Sequence, residues 1–314
     1  MACANGALAP GFYVEGTKIF DNHCKEFVMR GVNDPYVWYV SGAQQRYADI
    51  AAVKANTVRV VLANGGQWTK VSGTTMQEII AWTKANKLVA VLEVHDSTGY
   101  GEKAEAKNPT TAVDYWTSSE IVSALTGNEA YVIINIANEP FGNSTTPAEW
   151  ESFHAMAVQK IRQAGLKHLL MVDAPNWGQD WENTMRDGTG SENIFKADPD
   201  KNTVFSVHMY DVYPMADVIW DYFTDFLEHG VPLVVGEFGA DHAGKPVDEA
   251  AIMDYATQLG IGYIGWSWSG NSSDLASLDI TNNFEATALS TWGKALIDGP
   301  YGIKATAKVC GCFE

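Results

Sequence analysis

Cysteine is scarce in this 314-residue sequence and absent from its long middle. The four cysteines are Cys3, Cys24, Cys310 and Cys312. Paired C-x-x-C motifs are missing, and only His23 lies near a cysteine, so the spacing does not favour a zinc site. Because Cys310 and Cys312 stand too close for an easy mutual bridge, we expect each to pair with a cysteine near the N-terminus. Which pairs with which stays open.

Disulfide bonds between the two ends of the chain would need an oxidising compartment. We therefore expect a secreted, extracellular protein. Each bond would close a very long loop and stabilise the fold by about 4 kcal/mol in the chain-entropy model.

Long hydrophobic runs and positive charge are also in short supply. No stretch reaches about 18 consecutive apolar residues, so no membrane-spanning helix is expected. Lysine and arginine number 21 against 38 aspartates and glutamates, which leaves a net charge of −17. Phosphate groups would repel such a chain. We therefore expect neither a nucleic acid nor a membrane as a partner.

Apolar residues and tryptophan, in contrast, are well supplied. Hydrophobic residues make up 46% of the chain, which is enough for a large core, and eleven residues are tryptophan. Tryptophan is either packed in a core or used at a binding surface. No low-complexity linker and no internal repeat divides the sequence, so we expect residues 1–314 to form a single domain and the protein to be a monomer.

The chain begins with two short β-like runs on either side of turn residues, a pattern typical of a hairpin. After them, eight short apolar runs alternate with helical patterns. Near-continuous apolar strands are typical of a parallel sheet that is buried on both faces. The pattern predicts an α/β fold, a (β/α)8 TIM barrel with an N-terminal β-hairpin. An open doubly wound sheet is the alternative, weakened because no G-x-G-x-x-G motif or P-loop follows a strand. The strands are predicted at 27–33, 57–63, 88–95, 130–138, 168–174, 203–210, 232–238 and 262–268.

Polar or aromatic residues end nearly every predicted strand. A plain core has no need of them, and the carboxyl ends of barrel strands are where active sites form. Taken together they predict a site at the barrel mouth. The residues are Asn33, Arg59, His95, Asn138, Glu139, Trp177, His208, Tyr210, Glu237, Trp266 and Trp268.

Only two of these residues are carboxylates, Glu139 and Glu237. A pair of carboxyl groups surrounded by aromatic and polar residues suits the hydrolysis of an acetal. One must keep its proton for the leaving oxygen, and the other must stay ionised to attack the anomeric carbon. Arg59 is the cation expected to hold one carboxylate ionised, with Tyr210 as a hydrogen-bond donor to it.

The remaining side chains predict sugar contacts. Trp266 and Trp177 offer flat faces for the C–H faces of sugar rings, and Asn138 and His208 offer partners for hydroxyl groups. Two other kinds of site are disfavoured. A metal site has no H-x-H or H-E-x-x-H motif, and a serine hydrolase has no G-x-S-x-G elbow. We expect no metal and no cofactor.

Several of these segments match one family. They are "RVVLANGGQW", "LVAVLEVHDSTGYGE", "YVIINIANEPFGN", "DAPNWGQDW", "FSVHMYDVYP", "LVVGEFG" and "IGWSWSGN". With them the chain resembles glycoside hydrolase family 5, and within it the bacterial-type endo-β-1,4-mannanases. "NEP" alone is only moderately specific, but the combination with "HMY", "GEFG" and "VHDSTGYGE" is highly specific. The resemblance spans about residues 59–271.

The resemblance implies a retaining mechanism on mannan, glucomannan or galactomannan. It implies Glu139 as the acid/base and Glu237 as the nucleophile, with carboxyl groups roughly 5–5.5 Å apart. The other residues implied around the cleaved sugar are Arg59, His95, Asn138, His208, Tyr210 and Trp266.

One stretch departs from the family pattern. Mannanases of this kind usually carry "GVNHxHxWY" after the first strand, whereas this chain has "GVNDPYVWY". Asp34 and Tyr36 replace the two histidines, and Trp38 remains as a candidate substrate-binding residue. The departure leaves open the sugar contacts on the glycone side.

Two other activities stay open on the same barrel. An endo-β-1,4-glucanase, or cellulase, differs only in local geometry at a sugar hydroxyl, and the "HDSTGYGE" loop favours mannan over it. A non-catalytic sugar-binding barrel would not need two opposed carboxylates. The sequons at Asn143 and Asn271 lie in loops beyond the strands, where a glycan would crowd the cleft, so we expect them to be unmodified or peripheral.

Overall fold

A short hairpin precedes the main body of the molecule. The structure is a computed structural model that describes residues 9–314. Strands β1 (Tyr13–Glu15) and β2 (Lys18–Phe20) pair in antiparallel register. Gly16 takes φ +59° in the turn between them, a backbone conformation that glycine adopts without strain. The predicted N-terminal hairpin is confirmed.

Eight parallel strands close into a barrel in which each strand pairs with its neighbours along the chain and the last pairs with the first. This confirms the (β/α)8 barrel and excludes the open sheet. The barrel strands are β3 (Arg30–Asp34), β4 (Thr57–Leu62), β5 (Val89–Val94), β6 (Val132–Asn135), β7 (Leu169–Asp173), β8 (Thr203–Met209), β9 (Leu233–Phe238) and β12 (Gly262–Gly265). Between β9 and β12, the strands β10 (Asp241–His242) and β11 (Lys245–Pro246) form a separate two-stranded ribbon.

Helices fill the connections and cover the outside of the barrel. Among residues 9–314, no helix combines the length and apolar character needed to cross a membrane. The helices are α1 (Ala43–Ala52), α2 (Gly73–Ala85), α3 (Thr110–Thr117), α4 (Ser119–Leu125), α5 (Pro147–Gln163), α6 (Thr189–Ala197), α7 (Ala216–Glu228), α8 (Glu249–Leu259), α9 (Thr291–Asp298) and α10 (Ile303–Thr306).

One helical pattern and one predicted strand differ from the structure. The helical pattern of residues 111–125 predicts a single helix, but Ser118 is extended (φ −66°, ψ 144°) and separates α3 from α4. The strand expected over 130–138 is shorter, since β6 ends at Asn135. Glu139 therefore stands in the loop beyond the strand, where its backbone is not held in the sheet.

Apolar and polar residues divide the inside of the barrel into two levels. Side chains near the N-terminal ends of the strands form a hydrophobic plug inside the barrel, and Phe12, Phe27 and Met29 cover it from below. Above it the interior is polar and almost fully buried. A buried polar level is stable only when its groups satisfy one another. The plug includes Val89, Val91, Ile133, Leu169, Met171, Val204, Val234 and Ile264.

The C-terminal cysteines are arranged differently from the prediction. The structure bonds Cys310 to Cys312, with their Cα atoms 5.2 Å apart, so the expected pairing of each with an N-terminal cysteine is wrong. The chain turns into a 3-10 helix at Gly311–Phe313, and this turn brings the side chains of Cys310 and Cys312 together. Gly311 itself packs so closely on Asp21 that a Cβ would clash. Cys24 has a partner of its own, and Cys3 lies outside the described residues.

A buried ion pair fixes the loop that follows β3. Arg46 on α1 donates to Asp34 at the end of β3, with Nε 2.8 Å from Oδ1. The same guanidinium donates to the carbonyl oxygens of Tyr39 (2.7 Å) and Ser41 (2.9 Å). Both charged side chains are buried, 0% exposed for Asp34 and 6% for Arg46. One arginine thus holds the whole loop that carries Trp38.

Removal of the charge on Asp34 should destabilise the fold strongly. In Asp34→Asn the buried Arg46 loses its counter-charge, so we expect the free energy of unfolding to fall by about 3–5 kcal/mol. Urea unfolding followed by tryptophan fluorescence measures the difference. The exposed pair of Lys18 and Glu26 is the matched control, and Lys18→Ala should change stability by no more than about 1 kcal/mol. Equal effects of the two substitutions would contradict the buried ion pair.

Candidate active site

Seven of the eleven residues predicted at the strand ends line a cleft at the C-terminal mouth of the barrel. The cleft has a volume of about 290 Å³ and contains both glutamates. A larger cavity of about 760 Å³ lies at the opposite end, around Arg30 and Lys308, away from the glutamate pair. The cleft at the mouth is therefore the candidate site. Its walls are His95, Thr98, Lys103, Asn138, Glu139, Trp177, Gln179, Tyr210, Glu237, His242, Trp266, Leu275 and Leu278.

Arg59 lies at the centre of the polar level of the barrel and is fully buried. Its Nη1 donates to Glu237 Oε1 (2.8 Å) and Asn33 Oδ1 (3.0 Å), and Nε donates to Asn135 Oδ1 (2.8 Å). Nη2 donates to Asn138 Oδ1 (2.7 Å) and contacts a buried aspartate at 3.4 Å. All five donor positions of the guanidinium are used. The ring of acceptors fixes the guanidinium plane directly below the cleft.

Glu237 is the penultimate residue of β9 and is held from two sides. Arg59 donates to Oε1, and the hydroxyl of Tyr210 donates to Oε2 at 2.9 Å. Both contacts were predicted and are confirmed. Burial raises the pKa of Glu237, while the positive charges of His208 and Arg59 oppose the rise. The carboxylate is thus oriented rigidly and is more readily protonated than an exposed glutamate.

Glu139 stands across the cleft in an unusual backbone conformation. Its φ is +36°, which a residue with a side chain rarely adopts and which the surroundings must hold. Its N–H donates to Asp173 Oδ2 (3.1 Å), and its carbonyl oxygen accepts from the N–H of Gly99 (3.0 Å). Its carboxylate accepts from His208 Nδ1 at 2.8 Å. These three contacts direct the side chain into the cleft.

His208 connects the two glutamates to a third buried carboxylate. A register shift between β8 and β9 at Val207 and His208 places the imidazole beside Glu237, with Nδ1 3.6 Å from Oε2. Its Nε2 lies 3.3 Å from Asp173 Oδ2. Burial by itself lowers the pKa of His208, but Glu237 and Asp173 raise it to about 10. His208 is therefore a cation, and it lowers the pKa of Asp173 to about 2 against the effect of burial.

Aromatic rings form one side of the mouth around His95. The imidazole stacks on Trp266, with centroids 6.0 Å apart at 22°, and meets the edge of Trp38 at 5.1 Å. Trp68 packs against both Trp38 and His95. His95 Nδ1 lies 2.9 Å from the buried Glu93, whose charge raises the pKa of His95 although burial alone would lower it. The predicted residues His95, Trp38 and Trp266 are thus one cluster.

Trp177 lines the opposite side of the mouth. Its ring lies so close to the backbone of Gly99 that a Cβ at position 99 would overlap it, and Gly99 takes φ +72°. The indole N–H donates to Glu102 Oε2 at 2.9 Å, and Lys103 Nζ stands 4.8 Å from the ring centroid. Only glycine at position 99 permits this approach.

Four residues noted in the sequence contribute less to the cleft surface than expected. The amide of Asn138 is held at both ends, by Arg59 and by Thr98 Oγ1 (2.9 Å), so one N–H remains for a sugar. Trp268 is fully buried in the core and does not line the cleft. Asp34 and Tyr36, which replace the family histidines, are also buried. Asp34 holds the loop through Arg46, and neither side chain lines the cleft.

Three buried residues of the network escaped the sequence analysis. Asp173, Glu93 and Asn135 all lie on barrel strands and are fully buried. Asn135 is fixed by Arg59 and donates to Asp173 Oδ1 at 2.9 Å. A charged or amide residue inside an otherwise apolar strand was the signal available, as in "VLEVH" and "MVDA".

The cleft also offers atoms that could ligate a metal. A carboxylate oxygen of Glu139, one of Glu237 and a ring nitrogen of His208 lie within 4.8 Å of one another. The residues do not fit a divalent cation well, because Arg59 already neutralises Glu237 and the pKa of His208 near 10 keeps its nitrogens protonated.

Comparison with known proteins agrees with this geometry. The family model described as cellulase, glycosyl hydrolase family 5, matches residues 20–272. The chain is 49% identical to a mannan endo-1,4-beta-mannosidase of Cellvibrio japonicus, over 98% of this chain and 70% of the relative. It is also 49% identical to one from Streptomyces lividans, over 98% of this chain and 79% of that protein.

A solved structure is similar as well. The mannohexaose complex of a Thermomonospora fusca beta-mannanase superposes with a TM-score of 0.92 and 46% identity, covering 98% of this chain and 100% of that one. Family model, curated relatives and solved structure agree over nearly the whole chain. The chain belongs to glycosyl hydrolase family 5.

Proposed function

We propose that the protein is an endo-β-1,4-mannanase that cleaves internal bonds of mannan, glucomannan and galactomannan with retention of configuration. One observation carries the mechanism: carboxylate oxygens of Glu139 and Glu237 lie within 4.8 Å of each other at the barrel mouth. Retaining glycosidases hold their carboxyl groups about 5–5.5 Å apart, whereas inverting enzymes need about 6.5–9.5 Å to admit a water molecule. The mannan substrate is supported by the relatives described above.

Glu237 is the nucleophile in this proposal. Its carboxylate attacks the anomeric carbon while Glu139 donates a proton to the leaving oxygen, so the glycosidic bond breaks as the glycosyl ester forms. Arg59 and Tyr210 hold the attacking carboxylate and bind the charge that it regains later. Because both contacts exist before substrate arrives, little reorganisation is needed at the moment of attack.

Glu139 reverses its role in the second half of the reaction. As a carboxylate it takes a proton from a water molecule, which attacks the anomeric carbon and releases Glu237. Two displacements at one carbon restore the original configuration. His208 donates to Glu139 at 2.8 Å and lies 3.6 Å from Glu237, so one cation can stabilise negative charge on either carboxylate as it moves between them.

The rest of the cleft is proposed to bind the sugar chain. Trp266 and Trp177 face the sugar rings from opposite sides of the mouth, and Trp38 extends the first of these walls. His95, held in place by Glu93, and the remaining N–H of Asn138 donate to hydroxyl groups. Mannose and glucose differ in the direction of one hydroxyl, which a few such donors distinguish through local geometry.

We further propose that residues 1–314 form one catalytic domain that works as an extracellular monomer without cofactor or metal. The bonded pair of Cys310 and Cys312 and the partnered Cys24 support an oxidising compartment. The surplus of 17 negative charges supports neither a nucleic acid nor a membrane as partner. Light scattering tests the monomer, and recovery of the protein from culture medium tests the location.

Hydrolysis of polysaccharides tests the proposed activity directly. With EDTA present, we expect rapid loss of viscosity and release of reducing sugar from glucomannan and galactomannan, because internal bonds are cleaved without a metal. Carboxymethylcellulose should react far more slowly. Activity on cellulose alone would make the protein a glucanase, and activity on none of the polymers would favour a binding protein. Loss of activity in EDTA would contradict the metal-free site.

The two glutamates should be separable by the leaving group of the substrate. Glu139→Gln should lower kcat/KM on mannohexaose by about 10²–10⁴-fold, because proton donation is lost. A dinitrophenyl mannobioside should be affected far less in its first step, since its leaving group needs no proton. Glu237→Gln should abolish turnover of both. The assignment fails if Glu139→Gln slows the two substrates equally in a pre-steady-state measurement.

The pH profile should report the protonation of Glu237. Burial raises its pKa, and attack needs the carboxylate, so kcat/KM should fall on the acid side at a pH above the ordinary glutamate value of about 4.3. Tyr210→Phe removes a donor to the ionised form and should move this limb to higher pH. Tyr115→Phe, whose hydroxyl binds Val71 far from the cleft, should leave the profile unchanged. An acid limb that stays in place in Tyr210→Phe would contradict the role of Glu237.

A further inference from the structure

A second tryptophan lies in the loop that follows β7, four residues beyond Trp177. This residue, Trp181, is 50% exposed, whereas Trp116 and Trp150 are completely buried in the core. A large aromatic ring left in water gains nothing for folding and is typical of a binding surface. Because Gln179 between the two tryptophans lines the cleft, Trp181 lies next to the site and not on a remote face.

The ring of Trp181 is held by a neighbouring loop. Its indole N–H donates to Asn143 Oδ1 at 2.7 Å, in the loop after β6. Trp177 donates in the same way to Glu102 Oε2 in the loop after β5. Glu102 in turn accepts from the backbone N–H of Ser144 at 3.0 Å and also from that of Asn143. Three successive barrel loops are therefore joined through two indole groups.

The loop itself keeps its shape through buried contacts below it. Asp180 is fully buried and accepts from the N–H groups of Met185 and Arg186, both at 2.8 Å, and from the hydroxyl of Tyr222 at 2.8 Å. Trp181 follows directly in the chain. A binding ring that is ordered before the ligand arrives loses little conformational entropy on binding.

The same arrangement occurs at Trp266, which lines the cleft on the other side. The indole N–H of Trp266 donates to Asn271 Oδ1 at 3.0 Å. In both cases an asparagine from an adjacent loop segment accepts from the indole N–H, so the one polar atom of the ring already has a partner and the apolar face needs none. This is the presentation that stacking on the C–H face of a sugar requires.

The position of Trp181 decides which sugar it meets. Glu139 follows β6, and β7 is the next strand around the barrel, whereas Trp38 and Trp266 follow β3 and β12. Since Glu139 donates its proton to the leaving oxygen, the loops beside it lie along the departing part of the polysaccharide. Trp181 belongs to the same loop as Trp177 and Gln179, which both line the cleft, and so lies on this side of it.

We propose that Trp181, positioned by Asn143, is a stacking platform for a mannosyl unit on the leaving-group side of the cleavage point, one sugar beyond the unit at Trp177. This rests on the proposed function, because a chain of β-1,4-linked mannose is the ligand. The sequon asparagine Asn143 is then a positioning residue for this platform, and modification of its amide would disturb the contact.

Truncation of the ring tests the platform on substrates of two lengths. Trp181→Ala should raise KM for mannohexaose by about two- to tenfold, the range of one aromatic stacking contact, with kcat little changed. A dinitrophenyl mannobioside carries no sugar on the leaving side and should be unaffected. Trp220→Ala is the matched control, since Trp220 is also exposed but lies on α7 outside the cleft. It should leave both substrates unchanged.

The role of Asn143 is tested by two variants. Asn143→Ala should raise KM for mannohexaose in the same direction as Trp181→Ala, and Asn143→Asp should restore it because an acceptor oxygen returns. Calorimetry of mannohexaose binding to Glu237→Gln, with and without Trp181→Ala, gives a readout without turnover. Failure of Glu237→Gln to bind mannohexaose would overturn the proposed function and the platform together. Binding that Trp181→Ala leaves unchanged, or an equal effect on the aryl mannobioside, would overturn the platform alone.

Discussion

The buried guanidinium of Arg59 is the contact on which the site depends. One side chain joins β4 to acceptors on or just beyond β3, β6, β7 and β9, so the circular order of the strands and the direction of Glu237 are fixed together. A buried cation is tolerated only when every donor has a partner. The barrel meets that demand by placing asparagine and carboxylate side chains at one level, and these residues then support the glutamates at the mouth.

A buried aspartate, Asp173, balances the positive charges beneath the two glutamates. Asp173 would be expensive to bury alone, yet it lies between Arg59 and His208 and receives the N–H of Glu139. It thereby holds the backbone of one catalytic candidate and keeps His208 charged for both. The buried aspartate is thus a structural anion that keeps a cation beside both glutamates, which is where the proposed mechanism needs one.

Much of the fold could be predicted because its strands are buried on both faces. Apolar runs marked the eight barrel strands, and residues at their ends marked the cleft. Two local exceptions were not visible. Ser118 interrupts a helical pattern through its extended backbone, and a short turn at Gly311 lets Cys310 bond to Cys312. Neither feature leaves a periodic trace in a sequence.

The parts of the site that escaped prediction share a physical cause. Asp173 lies within the predicted strand 168–174 and is fully buried, and a buried polar residue can be interpreted only once its partners are known. Trp181 was hidden in a loop, where no periodicity exists and exposure depends on which neighbours hold the ring. Strand ends can be read from sequence because the barrel places them at one mouth. Loops beyond them are defined by contacts between loops, such as those of Asn143, and these decide how far along the cleft a sugar chain can be bound.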